Sequence, residues 1–197
     1  MILKYDKTKR RQITINFSGH ITKENVMLHK MRIDEFEKVY DIMRRSFPVA
    51  ERRTIDEERQ LLLNPIFDIL VWKSCDSDDV KGFISVYKID GYCYVEHFAI
   101  SEEYRGEGIG KSVLDELLKR EEKICLEVEL LDTEIAMRRI EFYRRNGFYL
   151  NEYPYIQPPI SKGTKAIPLL IMTTGGAIDE NEFLHIRKEL YSKVYHM

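Results

Sequence analysis

The order of elements along this 197-residue chain predicts one mixed α/β domain. Two amphipathic helix patterns come first, three strand patterns follow across tight turns, and the remainder alternates helix with strand. Hydrophobic residues make up 44% and aromatic residues 11%, enough for a sizeable core, while charged residues at 32% are ordinary for a globular protein.

Residues 1–26 differ from the rest and are expected to be an N-terminal extension to a single domain spanning 27–197. Lys4, Lys7, Lys9, Arg10 and Arg11 crowd its start, and Ile13–Phe17 alternates like a strand. Leu28–Ile33 follows as a short strand, with Asp34 placed to cap the next helix. Phe36, Val39, Tyr40, Met43 and Phe47 recur at helical spacing until Pro48 stops the pattern. Thr54 with Glu57 three residues on forms a capping box for a helix reaching Leu63. Strands are predicted over Phe67–Lys73, Val80–Ile89 and Tyr92–Ile100, the last two joined by Asp90-Gly91, a strong hairpin signal. Helix Ile109–Glu122, strand Ile124–Leu130, helix Glu134–Asn146 and strand Phe148–Tyr153 follow. A Pro-containing loop, strand Leu169–Thr173 and a helix over Asp179–Tyr195 complete the order.

Composition narrows the function. A formal net charge of −2 argues against nucleic acid as the main partner. Cys75, Cys93 and Cys125 lie far apart, with no His at metal-ligand spacing, so reduced thiols in a cytoplasmic protein and no metal site are expected. The basic N-terminus lacks the apolar segment of a secretory signal, and no run approaches the ~18 apolar residues of a membrane span.

Chemistry is concentrated in one stretch, Tyr94-Val-Glu-His-Phe-Ala-Ile100 followed by Ser-Glu-Glu-Tyr-Arg105-Gly-Glu-Gly108-Ile-Gly110-Lys-Ser. By alternation Val95 and Ala99 face one side, and Tyr94, Phe98 and Ile100 the other; a strand apolar on both faces is central. It runs into glycines and then a helix, which is an anion cradle: glycine lets backbone N–H groups approach closely, and the helix start carries partial positive charge. Arg105 and Lys111 add charge. A P-loop needs Gly where Arg105 stands, and a dinucleotide fingerprint starting at Gly106 needs Gly where Lys111 stands. By itself the loop is equally a tight strand-to-helix turn.

Arg105-Gly-Glu-Gly108-Ile-Gly110 resembles the acyl-CoA pyrophosphate motif of the GNAT acyltransferases. A second resemblance follows at the expected distance, in Phe142-Tyr143-Arg-Arg-Asn-Gly147-Phe148. Together they cover residues 92–150, and the match is to small bacterial members of unassigned substrate. The resemblance implies a central, mostly antiparallel twisted sheet of about six or seven strands, splayed in the middle and flanked by helices. It implies acetyl-CoA as cosubstrate, with its pantetheine arm on the backbone of Phe98, Ala99 and Ile100. The pyrophosphate then falls on Arg105, Gly106, Glu107, Gly108, Ile109, Gly110 and Lys111. Many members carry Asn seven residues before the motif Tyr and Ala four before; Ala136 and Arg139 stand there instead, which puts that one contact to the cofactor arm in doubt.

Direct acyl transfer to an amine requires that the ammonium lose a proton and the departing thiolate gain one. Glu96, placed by alternation with Tyr94 and Phe98 where burial raises its pKa, is the expected base; its alternative is a carboxylate paired with an arginine. Glu127 and Glu129 are secondary candidates, and alternation turns His97 to the opposite face. Tyr143 matches the family position near the thioester sulfur, and reference values of ~10 for a phenol and ~8.5 for a thiol suit transfer to sulfur; its alternative is core packing beside Ile140. Arg138, Arg139, Arg144 and Arg145 make either a solvated face or a seat for the 3′-phosphate of CoA.

In this fold the acceptor site is bordered by Phe47–Arg53 and Tyr153–Pro159, which makes Glu51, Tyr153 and Tyr155 candidate substrate contacts. The implied function is acetylation of a primary amine of a small molecule or peptide, with a homodimer as a further possibility. An open groove favours a protein acceptor and a closed pocket a small one; a non-catalytic acyl-CoA sensor is the rival from another class.

Overall fold

A computed structural model describes the backbone of residues 2–6, 11–15, 21–22 and 26–27, and the chain with side chains over 28–74, 78–161 and 163–197. Lys7, Lys9, Arg10, Asn16, Phe17 and Cys75 lie outside the described residues. Strands β1 (Ile2–Asp6), β2 (Arg11–Ile15) and β3 (Ile21–Thr22) pair antiparallel in a small sheet of their own. The alternation at Ile13 marks β2; β1 escapes a sequence reading because charged residues directly follow it.

The main sheet has seven strands in the order β4-β5-β6-β7-β8-β10-β9. These are β4 (Val26–Lys30), β5 (Phe67–Ser74), β6 (Val80–Ile89), β7 (Tyr92–Ile100), β8 (Ile124–Glu129), β9 (Phe148–Gln157) and β10 (Ile167–Thr174). All neighbours are antiparallel except β7 and β8. The helices are α1 (Phe36–Ser46), α2 (Ile55–Leu61), α3 (Ile109–Leu118), α4 (Glu134–Arg145) and α5 (Glu180–Glu189), the last running into a π-turn over Leu190–Val194.

Local rules account for most boundaries. α1 ends at Phe47, held extended at φ −125°, ψ 137° as a residue before proline is. Thr54 and Glu57 make the reciprocal capping bonds that open α2. Gly91 turns the β6–β7 hairpin at φ +76°. One face of the sheet packs Val39 and Met43 of α1 and Phe183 and Ile186 of α5 against Phe83, Tyr87 and Tyr94. The other packs Val113, Leu114 and Leu117 of α3 and Ile140 of α4 against Ile84, Val95 and Leu126. Each core takes alternate residues of the shared strands, as period-2 side chains require.

Two expectations are corrected here. β9 runs on past the predicted end at Tyr153 to Gln157, so Tyr155 is a strand residue; Pro154 is accommodated where the β9–β10 register shifts between Leu169 and Ile171. On β7, Ser85 of β6 faces His97 while Val86 faces Val95, so Glu96 is an extra, bulged residue. Strict alternation fails across a bulge: Tyr94 and Ala99 share one core while Val95, Phe98 and Ile100 share the other.

Candidate active site

β7 and β8 pair only from Cys93↔Ile124 to Val95↔Leu126, and beyond that the two strands part. His97 N–H bonds Ser85 Oγ and Ser101 N–H bonds Lys81 O, both toward β6. Alternation therefore turns the N–H groups of Phe98 and Ile100 toward the gap. The gap is a cleft of about 570 Å³, floored by Val95, Leu126 and Ala99 and closed at one end by the Arg105–Lys111 loop.

That loop leaves its backbone open. Gly106 and Gly108 hold φ of +84° and +79°, which L side chains rarely adopt, and a Cβ at either would meet nothing within 4 Å. Gly108 is the N-cap of α3, and Ser112 N–H is the first to fold back onto it, so the N–H groups of Ile109, Gly110 and Lys111 point ahead of the helix. Gly110 plays a different part: a Cβ there would lie 3.4 Å from the Phe142 ring, so it lets α3 approach α4. Arg105 Nε donates to Ile100 O at 3.0 Å, which ties the loop to the end of β7. An open, cationic helix start beside a long cleft fits a pyrophosphate with an extended arm.

Tyr143 borders the cleft from α4, wedged edge-on between Phe142 and Phe148. Burial pushes its phenol up to about 12, moderated by Arg139. The phenol therefore keeps its proton, but it lies farther from the ~8.5 of a thiol than the reference values suggested.

The bulge decides the fate of Glu96. Its side chain is 1% exposed, turned inward so that Oε1 accepts from Arg53 Nη1 at 2.8 Å. Burial alone would raise its pKa, but Arg53 and then His97 outweigh burial and hold the carboxyl well below the ordinary range. The expected rise is thus reversed. His97, predicted to face away, lies on the same side, with Nδ1 3.5 Å from Glu96 Oε2 and Nε2 donating to Glu51 O at 2.8 Å. Behind them, Glu58 of α2 is fully buried, with neither oxygen hydrogen-bonded and Arg53 Nη1 3.9 Å away. Burial, then the neighbouring Glu96, push its carboxyl up to about 7.

Glu127, on β8 across the gap, has a different setting. Its Oε2 accepts from Tyr94 at 3.0 Å, Gln157 at 2.7 Å and Tyr195 at 2.8 Å, while Tyr155 donates to Oε1. Burial raises its pKa, and these neutral donors only partly offset that. Tyr153 is removed from the site, its ring stacked on Phe183 and its hydroxyl on Ile178 O. Tyr155 reaches the site only from beneath, through Glu127. Arg139 pairs with Glu129, Arg138 with Glu134 and Arg145 with Glu141.

Arg53, Glu58 and Tyr195 were not singled out from sequence, whereas Gln157, expected with Tyr153 and Tyr155 to line the acceptor pocket, does border the smaller pocket beside the cleft. Arg53 meets Glu96 across 43 positions and Tyr195 meets Glu127 across 68, and no local pattern reports such pairings.

A half-splayed sheet with a glycine-rich helix start at the mouth of the splay defines an acyltransferase scaffold. Residues 68–150 match the family model for the acetyltransferase (GNAT) domain. A solved "putative acetyltransferase from GNAT family" of Bacteroides thetaiotaomicron is 32% identical, covers 87% of this chain and 99% of that one, and superposes with a TM-score of 0.79. "Putative acetyltransferase YjbC" of Bacillus subtilis is 23% identical over 79% of this chain and 80% of its own length. A spermidine N-acetyltransferase SpeG chimera of Vibrio cholerae and hSSAT shares the fold at a TM-score of 0.58 and 13% identity, with 76% and 94% of the chains covered. The protein belongs to the GNAT family and is an acetyltransferase. The family uses acetyl-CoA as cosubstrate, and its general reaction is acetyl transfer to amines. Among the described residues, no helix is long and apolar enough to cross a membrane.

Proposed function

We propose that this protein transfers the acetyl group of acetyl-CoA directly to a primary amine of a small molecule or peptide, within a ternary complex. One observation carries the proposal: β7 and β8 part immediately after Val95↔Leu126, which leaves the Phe98 and Ile100 N–H groups facing a cleft that ends at the open start of α3. The cosubstrate supplies an activated thioester. Phe98 and Ile100 hold its arm as a neighbouring strand would, and the N–H near Phe98 polarises the thioester carbonyl. The N–H groups at the start of α3, with Arg105 and Lys111, hold the pyrophosphate.

Glu127, rather than Glu96, takes the proton of the amine. Glu127 borders both the cleft and the adjoining pocket, and its basicity is raised, whereas the Glu96 carboxylate is committed to Arg53. Tyr143 donates its hydroxyl to the sulfur as charge develops there and hands over the proton as the C–S bond breaks.

Calorimetric titration with acetyl-CoA tests the assignment. The wild type should bind, and Gly108→Glu/Gly110→Glu should lose at least about a hundredfold in affinity, as a carboxylate and a strained backbone enter the cradle. Arg105→Glu/Lys111→Glu, which keeps the glycines, should weaken binding while melting like the wild type. If neither acetyl-CoA, longer acyl-CoAs nor CoA bind to wild type, the proposal fails.

A further inference from the structure

Beside the cleft lies a second pocket, of about 90 Å³. Phe47, Glu96, Glu127 and Arg139 border both spaces, so these four residues mark the junction. Beyond the junction the wall is mixed: Ile160, Ile167 and Leu169 are apolar, His97, Glu129 and Gln157 are engaged with other groups, and Glu51 is the ionisable side chain for which the described residues supply no ion pair. Ile160 is kept in place by its neighbour Ser161, whose hydroxyl bonds the Glu57 carboxylate of α2 at 3.0 Å.

The charges around this pocket do not balance. Arg139 is spent on Glu129 and Arg53 on Glu96. His97 lies between Glu96 and the Glu51 carbonyl. Glu127 is held by hydroxyls and an amide but by no cation. Glu51 is half-buried between α1 and α2, and no described residue pairs with its carboxylate. Its pKa is raised, first by burial and then by the nearby Glu129. Arg139 and His97 act the other way, but each is already held by another carboxylate, so Glu51 is a half-buried anion with a like charge beside it and no ion pair of its own, a standing cost that a cation from outside relieves. The pocket is also far smaller than the ~300 Å³ at which drug-sized ligand sites begin, which suits a short alkyl chain and not a sugar ring or a peptide.

Resting on the acetyl-transfer function proposed above, we propose that Glu51 is the specificity-determining residue of the acceptor pocket and binds a second positive charge on the acceptor. The acceptor is then a short amine with another cationic group a few carbon atoms away, such as an α,ω-diamine. One ammonium lies at the junction beside Glu127, where it loses its proton and attacks. The other seats against Glu51, and the methylenes between them pack on Ile167 and Leu169. An acceptor bearing a carboxylate meets Glu51 and Glu129 and is rejected.

The test compares kcat/KM for 1,4-diaminobutane, butylamine and 4-aminobutanoate, read by thiol release from acetyl-CoA. The wild type should prefer the diamine over butylamine by at least about tenfold, the value of one charge-assisted contact, with 4-aminobutanoate the poorest. Glu51→Gln should bring the diamine-to-butylamine ratio close to one, and Glu51→Asp should restore part of it. Equal use of diamine and butylamine by the wild type, or an unchanged preference in Glu51→Gln, overturns the assignment. Calorimetry of the two amines without acetyl-CoA separates this from a failure of acetyl transfer. Tighter binding of the diamine that Glu51→Gln abolishes supports Glu51 even if no turnover occurs, and no diamine binding to wild type refutes it.

Discussion

Glu96 and Glu127 stand on neighbouring strands at the point where the sheet divides. Both side chains are withdrawn from bulk water, yet their pKa values move in opposite directions. Glu96 faces a guanidinium at 2.8 Å and a histidine, and full charges outweigh the cost of burial. Glu127 faces three phenols and an amide, neutral donors that offset burial only in part. Burial is common to the two carboxylates. The charge of the partner sets the direction: a cation holds Glu96 ionised, and neutral donors leave Glu127 the more basic of the two.

Substitutions at the two positions should therefore fail differently. Glu127→Gln should cost kcat about a thousandfold while the melting temperature stays close to wild type, because its neutral donors tolerate a neutral amide. The acid limb of the wild-type pH–rate profile should lie above the ordinary glutamate range, with activity rising as Glu127 deprotonates, and should vanish in this variant. Glu96→Gln should instead cost stability, about 3 kcal/mol by denaturant unfolding, because it leaves Arg53 buried without its closest partner. If Glu96→Gln abolishes turnover in a protein of unchanged stability, the contrast collapses and Glu96 is the base after all.

Glu58 extends the comparison to a carboxylate with no hydrogen-bonding partner. Its folded pKa of about 7 is above the unfolded value, so its contribution to stability is complete below the ordinary carboxylate range and is lost as pH rises through about 7. Glu58→Gln should thus be neutral at pH 4 and stabilising by roughly 3 kcal/mol at pH 8, a pH dependence that thermal melts resolve. The smallest effect is expected at Tyr143. With its phenol raised to about 12, the match to a thiol that proton transfer in the proposed mechanism relies on is weaker, so Tyr143→Phe should lower kcat by only about ten- to thirtyfold and leave acetyl-CoA affinity intact.

What lay along the chain was legible in the chain. The capping box at Thr54, the Asp90-Gly91 hairpin, the helix stop before Pro48 and the glycine-rich start of α3 depend on residues a few positions apart, and all stand in the structure. The expected splayed sheet and the place of Tyr143 on α4 beside the cleft rested on the family resemblance, which two short local motifs carry. The expectations that failed crossed a bulge or a long separation. Alternation placed Glu96 with Phe98 and turned His97 away because it cannot register one extra residue, which only the pairing of β6 with β7 introduces. The likeness of Tyr155 to a loop residue came from nearby prolines, whereas pairing with Leu169 of β10 holds it in a strand.

The sequence alone thus determined the class of fold, the glycine-rich start of α3 and, through the resemblance of two short motifs, the family, because each depends on residues close along the chain. Tertiary structure alone decided which carboxylate meets Arg53 and which meets three tyrosines. Protonation depends on neighbours within a few ångströms, and here those neighbours come from 43 and 68 residues away.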